Sequence, residues 1–223
     1  MYFRNHWDIN IYQSVYNENE YQIDSCLKSK TVVDIGAHIG SFSILCLDRG
    51  AKKVFSYEAE KENFEILKKN AFIYGNKIET FNRAVWRSDV EEEEIEFGCH
   101  GNDNTGSGNM IFGEHKVEKV KTISLDHVLS NKKVDLLKLD CEFSEYGIIL
   151  TSKIVVRVPI IVGEFHEING LYDNFICPEF AKIGEKDRYT VEDLEEFFVK
   201  NNYRFYFRRN DGAKHLGNFI AKR

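Results

Sequence analysis

Short apolar runs alternate with amphipathic stretches along the chain, and this pattern predicts strands and helices in turn. Residues 31–35 (TVVDI) form a β-branched run with few polar interruptions, which is typical of a strand buried on both faces of a parallel sheet. A helix over 41–48, stopped by Gly50, and a second strand over 53–57 follow it. Together these elements form one βαβ unit.

The rest of the chain continues the alternation and ends in a different pattern. Further strands are predicted near 78–82, 95–97, 117–123, 134–139 and 160–165, and helices over 61–74, from Ser124 or Asp126, over 144–152 and over 190–201. Two last strands, 203–208 and 218–221, flank a turn that contains Gly212, so they are expected to pair as an antiparallel hairpin. The predicted fold class is an α/β sheet, mostly parallel, with an antiparallel edge.

The first thirty residues are polar and aromatic. A helix over 18–28 is predicted there, with Tyr21, Ile23 and Leu27 facing a core. We expect a single domain over 1–223, on which residues 1–30 pack as a helical or irregular extension. The Gly- and Asn-rich stretch 98–110 is expected to be a loop that becomes ordered over bound ligands.

Charge and composition narrow the class of protein. The chain has 223 residues and a formal net charge of -6, which repels phosphate backbones, so a nucleic-acid partner is not expected. No apolar run is long enough to cross a bilayer, and no secretory signal peptide is visible. Five cysteines without CxxC spacing suit reduced thiols, so a cytoplasmic location is expected.

The residues that follow the first two strands form the first candidate site, since ligands of open α/β sheets bind beyond the carboxyl ends of the strands. The turn after the first strand contains Asp34, Gly36 and Gly40 but lacks the third glycine of the dinucleotide fingerprint, so no pyrophosphate cradle is indicated. Glu58 ends the second strand and can accept hydrogen bonds from both hydroxyls of a ribose. The pattern favours a nucleoside ligand; the alternative is a tight turn followed by a surface acid.

Four segments in order resemble a known family. They are VVDIGAHIGSFS from Val32, VFSYEAEKENFEILKKNA from Val54, TISLDHVL from Thr122 and VDLLKLDCEFSEYGIIL from Val134. Together they resemble the FkbM-like group of class I S-adenosylmethionine (SAM) dependent methyltransferases, over about residues 32–164. The resemblance implies a Rossmann-like fold with a seven-stranded sheet, and SAM as cofactor.

The same resemblance implies a set of cofactor-binding residues. Asp34, Gly36 and Gly40 would lie along the methionine part of SAM, Glu58 on the ribose, and Arg83 and Ala84 near the adenine, with Ala37 and Ala59 completing the set. Two positions depart from the family pattern. Ala59 stands where a proline is usual, and Phe143 stands at the glycine of an Asp-x-Glu-Gly-x-Glu pattern. A bulky side chain at that glycine position is expected to fill part of the acceptor pocket or to change the backbone angle.

Four titratable residues after two later strands form the candidate catalytic cluster. Asp140 and Glu142 follow one strand, Glu164 and His166 end the next, and each pair is two residues apart, so its members can project to one side. An imidazole suits proton removal at neutral pH, so His166 is predicted as general base, with Asp140, Glu142 or Glu164 orienting it or the acceptor. The alternatives are a structural loop histidine and a divalent cation bound by the cluster. No metal is assigned.

The expected function is O-methylation of a hydroxyl, first of a sugar in a glycan or polysaccharide. This choice is motivated by a polar and aromatic rim comprising Asn102, Asn104, Asn109, Phe165, Asn169 and Tyr172. A hydroxyl of a natural product or other small molecule is the alternative acceptor. Two other classes stay open: a SAM-binding module without turnover, and a nicotinamide-dependent oxidoreductase, which the missing third glycine disfavours. The sequence leaves the oligomeric state unknown.

Overall fold

The computed structural model describes residues 1–99, 105–106, 108, 116–168 and 181–223. The strands in chain order are Thr31–Ile35 (β1), Lys53–Glu58 (β2), Ile78–Asn82 (β3), Ala84–Trp86 (β4), Glu94–Cys99 (β5), Lys116–Ser124 (β6), Leu136–Leu139 (β7), Ile160–His166 (β8), Arg204–Asn210 (β9) and Ala213–Lys222 (β10). The α-helices are His6–Tyr12 (α1), Ser41–Asp48 (α2), Lys61–Ala71 (α3), Leu125–Leu129 (α4), Glu145–Thr151 (α5) and Val191–Lys200 (α6).

Seven strands form the main sheet in the order β3-β2-β1-β7-β8-β10-β9. The first five are parallel, whereas β10 runs antiparallel to both β8 and β9. This arrangement confirms the predicted α/β class with its antiparallel C-terminal pair. The order reverses between β1 and β7, and a switch point of this kind opens a crevice at the carboxyl ends of the strands.

Both faces of the sheet are covered, as the apolar β1 run requires. On one face the sheet packs against α4, α5 and α6, with Leu125, Tyr146 and Phe198 fully buried. On the other face it packs against α2 and the N-terminal segment, which contributes Tyr21 and Leu27. Residues 1–30 therefore share a core with the sheet.

The N-terminal helix lies earlier than the sequence predicts. The chain is irregular over 18–28, and α1 begins at His6, where the Asn5 side chain accepts the backbone N–H groups of Trp7 and Asp8 at 3.0 and 3.1 Å. Asn19 and Gln22 adopt positive φ angles of 54° and 50°, which end any helix there. The predicted helix was wrong, although its apolar side chains are buried as expected.

A second, three-stranded sheet in the order β4-β6-β5 lies beside the main one. Its member β4 has three residues and was missed, because so short a run has no recognisable period. Ser124 caps α4 and accepts the N–H of His127 at 3.2 Å. Asp126, the alternative cap, instead accepts the N–H of Lys153 at 3.2 Å. No helix in the described part of the chain has the length and apolarity that a membrane span needs.

Candidate active site

One cavity of about 390 Å³ opens at the carboxyl ends of β1, β2, β7 and β8. Its lining includes eight of the predicted cofactor and catalytic residues, together with others that were not predicted. The predicted residues in the lining are Gly36, Glu58, Ala59, Arg83, Ala84, Asp140, Glu142 and Glu164. The remaining predicted residues, Asp34, Ala37, Gly40 and His166, are buried and do not line the cavity.

Gly36 brings two loops into direct contact. Its φ angle is +71°, and a β-carbon at this position would lie 1.7 Å from the carbonyl oxygen of Asp140. Only glycine fits there, so the loop after β7 can pass directly over the turn after β1. Gly40, with a φ angle of +97°, faces Leu67 of α3, and a β-carbon there would lie 2.8 Å from that side chain. Gly40 therefore serves helix packing.

Asp34 is fully buried beneath the turn. Its carboxylate accepts the hydroxyl of Ser43 at 2.6 Å and pairs with the Lys138 ammonium at 3.3 Å. Lys138 also donates to the carbonyl of Gly36 at 2.6 Å and lies 3.8 Å from the Asp140 carboxylate. Burial alone would lower the pKa of Lys138, but Asp34 and Asp140 outweigh it and raise the pKa above its ordinary value. Lys138 was not predicted as a site residue, because it lies inside an apolar strand.

Glu58 lines the cavity although only 6% of its surface is exposed. One carboxylate oxygen accepts the N–H of His38 at 2.7 Å and the other accepts the N–H of Glu60 at 2.8 Å. Burial raises the pKa of Glu58 to about 7, against the opposing effect of these two hydrogen bonds. A buried carboxyl fixed by backbone donors at the cavity wall matches the acceptor that the hydroxyls of a ribose require.

The wall beside Glu58 is largely apolar. Ala59, Ala84 and Val85 line it, together with Tyr57 and Phe97. Tyr57, Val85 and Phe97 were not predicted, because they become neighbours only when β2, β4 and β5 assemble. An apolar slot next to a ribose acceptor fits an adenine ring. SAM therefore fits this cavity, because Glu58 suits its ribose and the apolar wall suits its adenine.

The N-terminal segment forms the opposite wall. Trp7, Asn10 and Ile11 of α1 face the cavity, so residues 1–30 are more than a packing extension. Asp8 holds this wall in place: its carboxylate is buried, pairs with Arg4 at 2.9 Å and lies 3.3 Å from the His38 ring. Burial alone would raise the pKa of Asp8, but hydrogen bonds from His38 and Arg4 outweigh it and hold the pKa well below its usual range.

The far end of the cavity is acidic. Asp140, Glu142 and Glu164 all line it, and the Tyr21 hydroxyl donates to Asp140 at 2.6 Å. Burial raises the pKa of Glu142 to about 7. Burial and then the negative charge of Asp140 raise the pKa of Glu164 to about 8. Glu142 and Glu164 can therefore exchange protons near neutral pH.

His166 lies behind the acids and not at the cavity surface. It is 3% exposed, and its ring nitrogens lie 3.2 Å from Glu145, 3.3 Å from Glu142 and 3.8 Å from Glu164. Burial alone would lower the pKa of His166, but Glu142 and Glu145 outweigh it and raise the pKa well above its ordinary value. A ring that is already protonated cannot accept a proton. The surroundings of His166 therefore favour a positively charged imidazolium that positions the carboxylates. Its role as general base stays a prediction.

Phe143 keeps the backbone shape that a glycine would give. Its φ angle is +73°, in the left-handed region, and Glu142 before it has a φ of +44°. The phenyl ring turns away from the cavity and packs against His166, with ring centroids 5.1 Å apart. Phe143 does not line the cavity, and its effect on the acceptor stays a prediction.

Ligand atoms of Asp140, Glu164 and His166 come within 4.8 Å of one another, a spacing that would suit a cation. This leaves the cation alternative open beside proton transfer. Of the predicted rim, Phe165 is fully buried, so it cannot face an acceptor. Asn102, Asn104, Asn109, Asn169 and Tyr172 lie outside the described residues, as does most of the predicted loop over 98–110.

The sheet order, the glycine turn and the acid that ends β2 define a class I methyltransferase fold. The model of the methyltransferase FkbM domain matches residues 34–205. The chain belongs to the FkbM family of SAM-dependent methyltransferases, and SAM is the cofactor of this class. No curated protein is similar enough in sequence to match.

Solved structures agree at the level of the fold. The methyltransferase FkbM from Methylobacillus flagellatus KT is 14% identical with a TM-score of 0.56, and the match covers 94% of this chain and 47% of that one. The chain thus spans about half the length of that relative. Magnesium protoporphyrin IX methyltransferase from Synechocystis PCC 6803, solved with bound S-adenosylhomocysteine, is 13% identical with a TM-score of 0.50 and coverage of 100% and 90%.

Proposed function

We propose that the protein transfers a methyl group from SAM to a hydroxyl of a sugar in a glycan or polysaccharide. The observation that supports this best is that one cavity is lined both by Glu58, at the end of β2, and by Asp140, Glu142 and Glu164, at the ends of β7 and β8. A donor held beside Glu58 would present its methyl group toward groups that can accept a proton. Acidic residues also suit a neutral, hydroxyl-rich acceptor, whose hydroxyl groups can donate to carboxylates.

Glu58 would hold the ribose of SAM, and Ala59, Arg83 and Ala84 would border the adenine. Asp34, Ala37 and Gly40 would keep the turn around Gly36 in shape. When bound, SAM supplies an electrophilic methyl group on a sulfonium sulfur. The residues of this chain then have to orient the acceptor oxygen and take its proton.

Glu164 is the residue that we propose as general base. It lines the cavity, and its raised pKa makes its ionised form a stronger base than an ordinary carboxylate. In the reaction the acceptor oxygen forms a bond to the methyl carbon, the carbon–sulfur bond breaks, and the hydroxyl proton passes to the Glu164 carboxylate. Asp140 and Glu142 would orient the acceptor, and His166 would position the two glutamates from behind.

Substitution distinguishes the two candidate bases. If Glu164 is the base, turnover rises with pH through about 8, because the carboxyl must lose its proton before it can act. If His166 is the base, the rise lies well above the ordinary histidine pKa of about 6.5, because Glu142 and Glu145 raise the pKa of His166, and Glu164→Gln keeps most of the turnover. We expect Glu164→Gln to lower turnover by about 10²–10⁴-fold, with SAM affinity nearly intact. Glu79→Gln, at a half-exposed carboxyl on β3, is the matched control.

The first experiment is a transfer assay with methyl-labelled SAM and a panel of monosaccharides, oligosaccharides and hydroxylated natural products. Labelled sugar supports the proposal, and label only in the natural products would favour the alternative acceptor. SAM binding without transfer to any acceptor would favour a module without turnover. Loss of transfer on addition of a chelator, restored by a divalent cation, would favour the cation at Asp140, Glu164 and His166.

A further inference from the structure

A second cavity of about 570 Å³ lies next to the first. Residues of the N-terminal segment between Ser14 and Gln22 form one wall, and residues of β9, β10 and their connection form the other. The walls carry both ring and polar side chains, including Asn19, Tyr206 and Asn218. This mixed surface differs from the apolar slot beside Glu58.

The two cavities are neighbours, because they share wall residues. Ser14, Glu20 and Tyr21 line both of them. Ser14 donates to the Glu20 carboxylate at 2.9 Å, and Tyr21 donates to Asp140 of the acidic end at 2.6 Å. A molecule whose reacting hydroxyl lies beside Asp140 and Glu164 would therefore have the second cavity directly next to it.

Strand β9, at the edge of the main sheet, supplies aromatic and charged side chains to the second cavity. Tyr206 and Arg208 alternate with residues on the other face of β9, and they pair in register with Ile220 and Asn218 of β10. Tyr206 is 60% exposed, which is unusual for a large aromatic side chain at a concave surface. The strand thus offers a ring beside charged and amide groups.

The walls of the second cavity lie outside the part of the chain that matches the family model. Every residue that lines this cavity lies outside residues 34–205. The cofactor turn and the acids lie inside that range. The second cavity therefore borders the methyltransferase centre without sharing the residues of the cofactor turn.

We propose that the second cavity binds the sugar units next to the one that is methylated, so that the acceptor is an oligosaccharide or polysaccharide segment and not a free monosaccharide. This inference rests on the proposed function. A pyranose ring has a face of C–H groups, which packs on an aromatic ring, and a rim of hydroxyls, which bond to amides and charged groups. Tyr206 offers the first kind of contact, and Arg208 and Asn218 offer the second.

The charges in the second cavity favour this occupant over a polyanion. Glu18, Glu20 and Asp211 line it with one cation, Arg208. An excess of carboxylates repels phosphate chains and strongly anionic polymers. Neutral sugars and amino sugars are the compatible units.

The test measures methyl transfer to one sugar series of increasing length, from monosaccharide to tetrasaccharide, with neutral hexose and aminohexose members. The variants are Tyr206→Ala, which removes the ring, Tyr206→Phe, which keeps it, and Phe72→Ala, which removes a ring that is 84% exposed and lines neither cavity. Melting temperature and SAM affinity are measured for each variant, so that misfolding is recognised.

We expect kcat/KM of the wild-type protein to rise by a factor of about 2–10 from monosaccharide to tetrasaccharide, as an added aromatic contact implies. Tyr206→Ala should bring this ratio close to one, whereas Tyr206→Phe and Phe72→Ala should keep it. A wild-type ratio near one, or a ratio that survives in Tyr206→Ala, overturns the inference while sugar methylation stands. If no sugar of any length accepts the methyl group, the proposed function fails, and the inference fails with it.

Discussion

At the scale of single residues, Glu58 gives cofactor binding a dependence on pH. Its carboxyl, with a pKa of about 7, is largely protonated in mild acid and ionised above neutral pH. A ribose needs the ionised form, so SAM and a proton compete for this group. SAM affinity should therefore rise about tenfold from roughly pH 6 to roughly pH 8 and then level off. Calorimetric titration across this range checks the expectation.

Substitution of Glu58 tests the same contact directly. Removal of a carboxylate that accepts two hydroxyl groups loses hydrogen bonds of roughly 1.5–3 kcal/mol each, so Glu58→Ala should weaken SAM binding tenfold or more. Glu58→Gln should abolish the pH dependence, since the amide does not titrate. Unchanged SAM affinity in a folded Glu58→Ala protein would contradict the cofactor site, and Glu79→Gln serves as control.

Lys138 is the buried cation on which two acids depend. Its ammonium lies 3.3 Å from Asp34 and bonds to the Gly36 carbonyl, so Lys138→Met leaves a buried carboxylate without its partner. We expect the free energy of unfolding to fall by about 3–5 kcal/mol. Urea denaturation measures the loss. The double variant Lys138→Met, Asp34→Asn should recover part of it, and no recovery would mean that Lys138 acts through other contacts.

At the scale of elements, α1 depends on one carboxylate. Asp8 joins Arg4 to His38, and its lowered pKa means that this stabilisation is present above about pH 4, the ordinary aspartate pKa, and is lost only in stronger acid. Asp8→Asn should therefore raise hydrogen exchange over residues 6–17 by about tenfold or more, while β1 stays protected. Asp24→Asn, at an exposed position, should leave exchange unchanged.

The elements also show what a sequence can specify. The β-branched run of β1 and the strand pair at the C-terminus were predictable because period and turn residues are local. The helix α1 was not, because its boundary depends on the Asn5 cap and on positive φ angles at Asn19 and Gln22. Gly36 and Glu58 could be predicted as site residues, because each stands at the carboxyl end of a recognisable strand. Lys138 and Trp7 could not, because their roles arise from contacts with distant parts of the chain.

At the scale of the whole molecule, we propose that residues 1–223 unfold as one cooperative unit. Val15, Tyr21, Ile23 and Leu27 belong to the same buried cluster as Val32 of β1 and Val162 of β8. Burial of each such side chain contributes about 1.5–3 kcal/mol, so removal of residues 1–30 should cost about as much as a typical domain has in total. The truncated chain should lose its cooperative urea transition; an unchanged midpoint would make residues 1–30 a separate unit.

The contact between Gly36 and the Asp140 carbonyl limits how the sequence of such a protein can diverge. A side chain at residue 36 would collide with the loop that carries the acids, so neither loop can change its path alone. Mutations that alter acceptor choice would therefore accumulate most easily at the two ends of the chain. Laboratory evolution toward new acceptors should place its libraries in residues 7–22 and 206–220 and leave the centre untouched.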